Sequence, residues 1–188
     1  MNLGQTMITM GMFVLLVMSV ISANRMLMQN SEFNLQTEAL VESSTIANDI
    51  FQEAQSKKFD QWADDSGTQL VSVFTPADSL GPSSADRAAV GSLPDSSYNG
   101  QYRSINAYHD VDDYNGYSRI VSADSANGIR IGGFLVTVRV FYVDPSNADS
   151  LVNFRTFFKR VEVNVKHDQY FPENIKDIGV TYSSLMSY

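Results

Sequence analysis

The sequence contains no cysteine. That absence removes disulfides, thiolate zinc sites, covalently attached c-type haem and cysteine nucleophiles together, and it leaves a fold expected to stand on packing alone. Histidine is nearly missing as well: His109 and His167 are the only two, and nothing pairs them at metal-ligand spacing. No Gly-x-Ser-x-Gly elbow, P-loop or GxGxxG occurs, so the motifs point away from an enzyme. Basic residues are outnumbered, 13 Lys and Arg against 21 Asp and Glu, for a net charge of −8. A field of that sign repels phosphate backbones and anionic headgroups, so no nucleic-acid partner is expected.

What is present is unevenly distributed. The 188 residues suit one ordinary domain plus an N-terminal segment of different composition. Seven of the eight methionines lie between Met1 and Met28, and the first charged side chain is Arg25. Within MNLGQTMITMGMFVLLVMSVISANR, the 18 residues from Thr6 to Ala23 reach roughly 27 Å as a helix, about the thickness of a bilayer's hydrocarbon core. A secretory signal would carry a basic start, a shorter apolar run and a small-x-small cleavage site. Here no Lys or Arg precedes the run, and Ser22, Ala23 and Asn24 match such a site poorly.

The helical signal continues past Arg25. From Met26 to Phe59 there is neither proline nor glycine. Phe33, Leu40, Ala47 and Ala54 recur every seven residues, Ile46, Ile50 and Phe51 widen the stripe, and Glu32, Glu38, Glu42, Asp49 and Glu53 occupy the intervening faces. Lys57 and Lys58 are expected in the last turn, where the helix dipole favours cations. One helix from Thr6 to Lys58 would be roughly 80 Å long, more than a domain of this size can bury. Its first half then needs cover from lipid or other subunits.

Gly4, followed by Gln5-Thr6-Met7-Ile8-Thr9-Met10 and the apolar run, resembles the class III signal of type IV pilins and pseudopilins. The helix tail resembles the same family through Ile46-Ala47, Glu53-Ala54 and Phe59-Asp60. Phe158-Lys159-Arg160-Val161-Glu162-Val163-Asn164-Val165 and Gly179-Val180-Thr181-Tyr182 look like closing strands of minor-pilin heads. The resemblance implies cleavage between Gly4 and Gln5 by a prepilin peptidase, and an assembly helix carrying Thr6, Met7, Ile8, Thr9, Met10, Phe13, Leu16 and Val20. Thr9 stands where the family usually has glutamate, a carboxylate that would pair with a neighbouring subunit's amine. Its replacement fits a minor or tip subunit, or an altered assembly interface. The implied partners are copies of the chain or other pilins in a helical filament. The implied location is the inner membrane before assembly and the cell surface afterwards, with the N-terminus cytoplasmic, although Arg25 alone would favour the opposite topology.

After Asp60 the chain turns polar, with turn signals at Thr75-Pro76, Gly81-Pro82, Leu93-Pro94, Asn99-Gly100 and Asn115-Gly116. Short strands are predicted at 69–74 and 117–122, and residues 79–97 are read as exposed or mobile. Strong alternation then marks strands over 133–143 and 154–167, the latter with Val161, Val163 and Val165 on one face and Arg160, Glu162, Asn164 and Lys166 on the other. A last strand is expected over 178–185. The fold class is therefore α+β: a long N-terminal helix, apolar then amphipathic, whose second half packs on an antiparallel sheet. The expected division is a leader at 1–4, a helical spine at 5–59 and a β-rich head at 60–188.

Asp110, Asp112, Asp113 and Asn115 form the densest acidic cluster. They read either as a solvated loop closed by an Asn-Gly turn or as a calcium site without EF-hand spacing, which makes Ca²⁺ the one cofactor considered. Tyr98, Tyr102, Tyr108, Tyr114 and Tyr117 form either a contact surface or a layer over the sheet, and Trp62 is read as a core plug. Two functions stand beside the pilin-like filament subunit: a membrane-anchored extracytoplasmic binding protein that does not polymerise, and a pseudopilin of a type II secretion system.

Overall fold

The computed structural model describes residues 2–63, 70–97, 101–124 and 129–188. Helix α1 runs from Leu3 to Gln55 without a break. The chain divides within it into two units, Met1–Glu38 and Ala39–Tyr188.

The first unit is helical from Leu3 onward, and none of its residues from 2 to 34 is buried. It contains a segment with mean hydropathy 2.1, long and apolar enough to cross a membrane. With no acidic or basic side chain before Arg25, its helicity rests on the helix-forming Met and Leu residues and on hydroxyls that bond back into the helix.

The second unit is an α+β head. Its sheet has six strands: β1 (Asp95–Ser96), β2 (Ser118–Val121), β3 (Phe134–Asp144), β4 (Asn147–Leu151), β5 (Phe158–Lys166) and β6 (Val180–Ser187). The order is β1-β2-β3-β5-β6, with β4 hairpinned onto the end of β3. Every pairing is antiparallel except β1 with β2, so the predicted antiparallel sheet carries one short parallel edge. The predicted alternation of the two longest strands holds. Phe134, Val136, Val138 and Val140 on β3 and Val161, Val163 and Val165 on β5 all face inward, against Ile46, Ala47, Ile50 and Ala54 of α1. Burying those branched side chains, at about 1.5–3 kcal/mol each, supplies the main driving force of the head. Leu40 and Phe51 are partly buried at the edge of this core, whereas Phe33, one heptad earlier, is exposed.

Several expectations change. Helix α1 stops at Gln55, before the two lysines. Lys58 leaves the helix to form a parallel bridge with Asp110, and Lys57 Nζ donates to the Ile105 carbonyl oxygen at 2.5 Å. In place of a strand over 69–74 there is a 3-10 turn at Val71–Val73, Gln69 lying outside the described residues. The serine-rich stretch contains a helix, α2 (Ser84–Val90), started by Ser83, whose hydroxyl accepts from the Asp86 N–H. Within that stretch Val90 and Asp95 are buried. A further short helix, α3, covers Ser104–Ala107. Trp62 is not a plug but 60% exposed; its N–H donates to Asp60 Oδ1, and the wholly buried group at this corner is Asp60.

Candidate functional site

The N-terminal segment was expected to carry assembly, and the structure places all of its named residues on one helix. Gln5, Thr6, Met7, Ile8, Thr9, Met10, Phe13, Leu16 and Val20 are exposed within α1, and Gly4 has open space around its Cα. Thr9 Oγ1 donates to the carbonyl oxygens of Gln5 and Thr6 at 3.1 and 3.0 Å, and Thr6 Oγ1 does the same to Leu3 at 3.1 Å. A threonine hydroxyl satisfied in its own helix can enter an apolar phase with no external partner, which a glutamate cannot. Position 9 therefore offers a hydroxyl already bonded within the helix and no carboxylate for an ion pair.

The head contains two buried charge centres that the sequence reading did not assemble. At the first, Glu53 on α1 receives the Ser104 and Tyr114 hydroxyls on Oε1 at 2.8 and 2.7 Å, while Oε2 lies 3.1 Å from Arg119 Nη1. The Arg119 guanidinium also stacks 4.2 Å above the Tyr102 ring. The tyrosine cluster resolves here: Tyr108, Tyr114 and Tyr117 are buried and meet edge to face, Tyr102 is half-buried, and Tyr98 lies outside the described residues. Burial holds the Tyr114 phenol far above its ordinary pKa, with the Glu53 charge adding to the effect, so it stays a neutral donor.

The second centre gathers around Lys159, which β5 aims into the interior and which is wholly buried. Its ammonium donates to the Phe59 carbonyl oxygen at 2.7 Å, lies 3.1 Å from Asp60 Oδ2 and 2.5 Å from Asp112 Oδ1, and sits 4.3 Å from the Phe59 ring. The two carboxylates are held differently. Asp60 also accepts from the N–H groups of Trp62 and Thr75 and from the Thr75 hydroxyl. Although burial works against its charge, the Lys159 ammonium and these donors keep its pKa below the ordinary value. Asp112 has no such support: neither oxygen takes an aligned hydrogen bond, and its contact with Lys159 is charge against charge. Burial, opposed by Lys159 and helped by Asp110, pushes Asp112 up to about 7.

The acidic loop is therefore not solvated. Asp110, Asp112 and Asp113 are buried at 3%, 2% and 5% exposure. Asp110 and Asp113 cap each other's backbone around a 3-10 turn at Asp112–Tyr114: Asp113 Oδ2 accepts from the N–H groups of His109 and Asp110, and Asp110 Oδ1 accepts from that of Asp113. Asn115 pins the loop to the sheet through the Val140 N–H and to the Leu80 carbonyl oxygen. The quartet considered for calcium thus spends its oxygens on three separate tasks. Among the described residues, the acidic or histidine side chains whose ligand atoms converge within 4.8 Å are Asp86, His109 and Asp113. His109 is exposed and 3.1 Å from Asp86; His167 is buried, its Nδ1 accepting from the N–H groups of Gln169 and Tyr170.

Comparison with family models, curated proteins and solved structures finds no match. A long apolar N-terminal helix leading into a β-sheet head is the general architecture of the pilin-like family, and the described structure has it. Glu53, Ser104 and Arg119 at the first centre and Asp60 and Lys159 at the second are residues that sequence reasoning did not assign to a site. Lys159 carried a signal, because alternation along β5 places it on the same face as Val161, Val163 and Val165.

Proposed function

We propose that the chain is a structural subunit of a type IV pilus-like filament, held in a membrane by its apolar segment and then polymerised through it. The supporting observation is the contrast along α1. From Ala39 onward the helix places Ala39, Ile46, Ala47, Ile50 and Ala54 in the core of the head, while Met7, Phe13, Leu15, Leu16 and Met18 are all more than 60% exposed. A contiguous apolar surface of this extent is not left in water; its cover is lipid or other copies of the same helix. Thr9 then distinguishes this subunit from one that docks by a buried carboxylate, and shifts assembly onto side-chain packing.

The deciding experiment is mass spectrometry of the native chain together with electron microscopy of the material shed from cells. A mature N-terminus at Gln5 in filaments supports the reading. An intact Met1 on a detergent-soluble monomer overturns it in favour of a permanent membrane anchor.

A further inference from the structure

We propose that Lys159 and Asp112 condense to an intramolecular isopeptide bond between Nζ and Cγ, with Asp60 holding the amine in position. The inference stands on the geometry of the second charge centre and is independent of the filament reading.

Three features carry it. The amine and the carboxyl are already in contact: Asp112 Oδ1 is 2.5 Å from Nζ, and with a carbon–oxygen bond of about 1.23 Å the carboxyl carbon is within roughly 3.7 Å of the nitrogen, close to attack distance. Both side chains are sealed from water, Lys159 at 0% and Asp112 at 3% exposure, so the reverse hydrolysis lacks its reactant at the site. The two aspartates are also unequal. Asp60 is saturated by Thr75, Trp62 and Lys159, which suits a carboxylate that stays charged and holds the amine, whereas Asp112 has no aligned donor, which suits the carboxyl that is consumed.

The step balances without any outside reagent. One ammonium proton passes directly to Asp112 Oδ1, 2.5 Å away, leaving a neutral amine and a carboxylic acid. The Nζ lone pair forms a bond to Cγ, giving a tetrahedral centre. A second nitrogen proton passes directly to the Asp112 hydroxyl, the C–O bond breaks, and water departs. One ammonium and one carboxylate become one secondary amide and one water, with no change of oxidation state and no net charge transferred. After condensation Asp60 keeps the Trp62 and Thr75 N–H groups and the Thr75 hydroxyl as donors and can accept from the new amide N–H in place of the ammonium.

In position the bond would tie the loop at Asp112–Tyr114 to β5 in the middle of the sheet, a covalent brace in a chain that has no cysteine to make one.

The test is peptide mass analysis of the full-length chain extracted in detergent and digested with trypsin. The expected product is residues 104–119 joined to residues 156–160, lighter than the sum by one water, with cleavage after Lys159 blocked. Lys159→Arg and Asp112→Ala should each restore the two separate peptides. Asp112→Asn should still give the same linked product, now by loss of ammonia, and Asp60→Asn should lower its yield at least tenfold. Recovery of free 104–119 and 156–159 from folded wild-type protein, with folding checked by a cooperative melt, overturns the proposal. Since the readout is internal, it does not depend on how the N-terminus is processed.

Discussion

Arg119 on β2 and Glu53 on α1 form a buried ion pair, 3.1 Å apart with side-chain exposures of 4% and 10%, that fastens the end of the helix to the sheet. Removing only the cation leaves a carboxylate in the core with Tyr114 and Ser104 as its side-chain donors among the described residues. Arg119→Met should therefore destabilise the head by about 3–5 kcal/mol, the usual result of orphaning one buried charge. Glu53→Gln in the same chain keeps an acceptor for both hydroxyls and removes the orphaned charge, so the double variant should recover a large part of the loss. Denaturant melts of the two single variants and the double variant check this; a double variant no more stable than Arg119→Met alone would contradict it.

The acidic loop should make stability depend on pH. Burial, then the charge of Asp113, raises the Asp110 pKa to about 6. A carboxyl whose folded pKa exceeds its unfolded value favours the folded state when protonated. Its contribution is complete below the ordinary value of 3.8 and is lost as pH rises through about 6. The melting temperature should fall between about pH 4 and pH 6, by the equivalent of up to about 3 kcal/mol. Asp112 adds to this fall, up to about pH 7, only while its carboxyl is free. Asp110→Asn keeps an acceptor for the Asp113 N–H and should flatten the Asp110 part of the profile. A wild-type curve that rises over this interval would show that the charged form is the favoured one.

Much of the fold was legible because its main elements obey simple periods. The heptad of Leu40, Ala47 and Ala54 gave the buried stripe of the helix, and period-two alternation gave the inward faces of β3 and β5. The charge centres were harder to read, because the same periods do not say when a polar residue on an apolar face will be kept there. Lys159 lies in register with Val161 and Val163, yet its partners are 99 and 47 residues earlier, and only the assembled fold joins them. Glu42 was assigned to an intervening face of the helix, but it is buried and accepts from the Arg130 and Ile131 N–H groups at 2.6 and 3.0 Å. Backbone groups supply its partners, and no side-chain pattern announces them.

Gly179 and Gly116 have nearly the same backbone, φ of +82° and +81°, but different surroundings. A Cβ at Gly116 would meet open space, whereas at Gly179 it would fall 2.7 Å from the Val165 carbonyl oxygen and the Lys166 side chain. Gly116→Ala should thus cost about 1 kcal/mol, the price of the left-handed conformation alone. Gly179→Ala adds a collision with the backbone of β5 and should cost about 2–3 kcal/mol, loosening the entry to β6. Paired chemical melts give the difference directly, and equal losses would mean that β5 and β6 can move apart without strain.

The apolar half of α1 can be tested apart from the head, because every buried apolar residue of the described structure lies at Ala39 or later. Leu16 is central in the expected span and 61% exposed. An arginine there costs about 2.5–3.5 kcal/mol at the middle of a bilayer, a factor of roughly a hundred or more in partitioning. Under the proposed function, Leu16→Arg should release the full-length chain from membranes in a flotation assay and abolish filaments, while leaving the melting temperature of the head unchanged. Leu16→Ala keeps the segment apolar and should retain membrane association. If Leu16→Arg floats with membranes as the wild type does, residues 6–23 are not what holds the chain there, and the exposed apolar face would need another account.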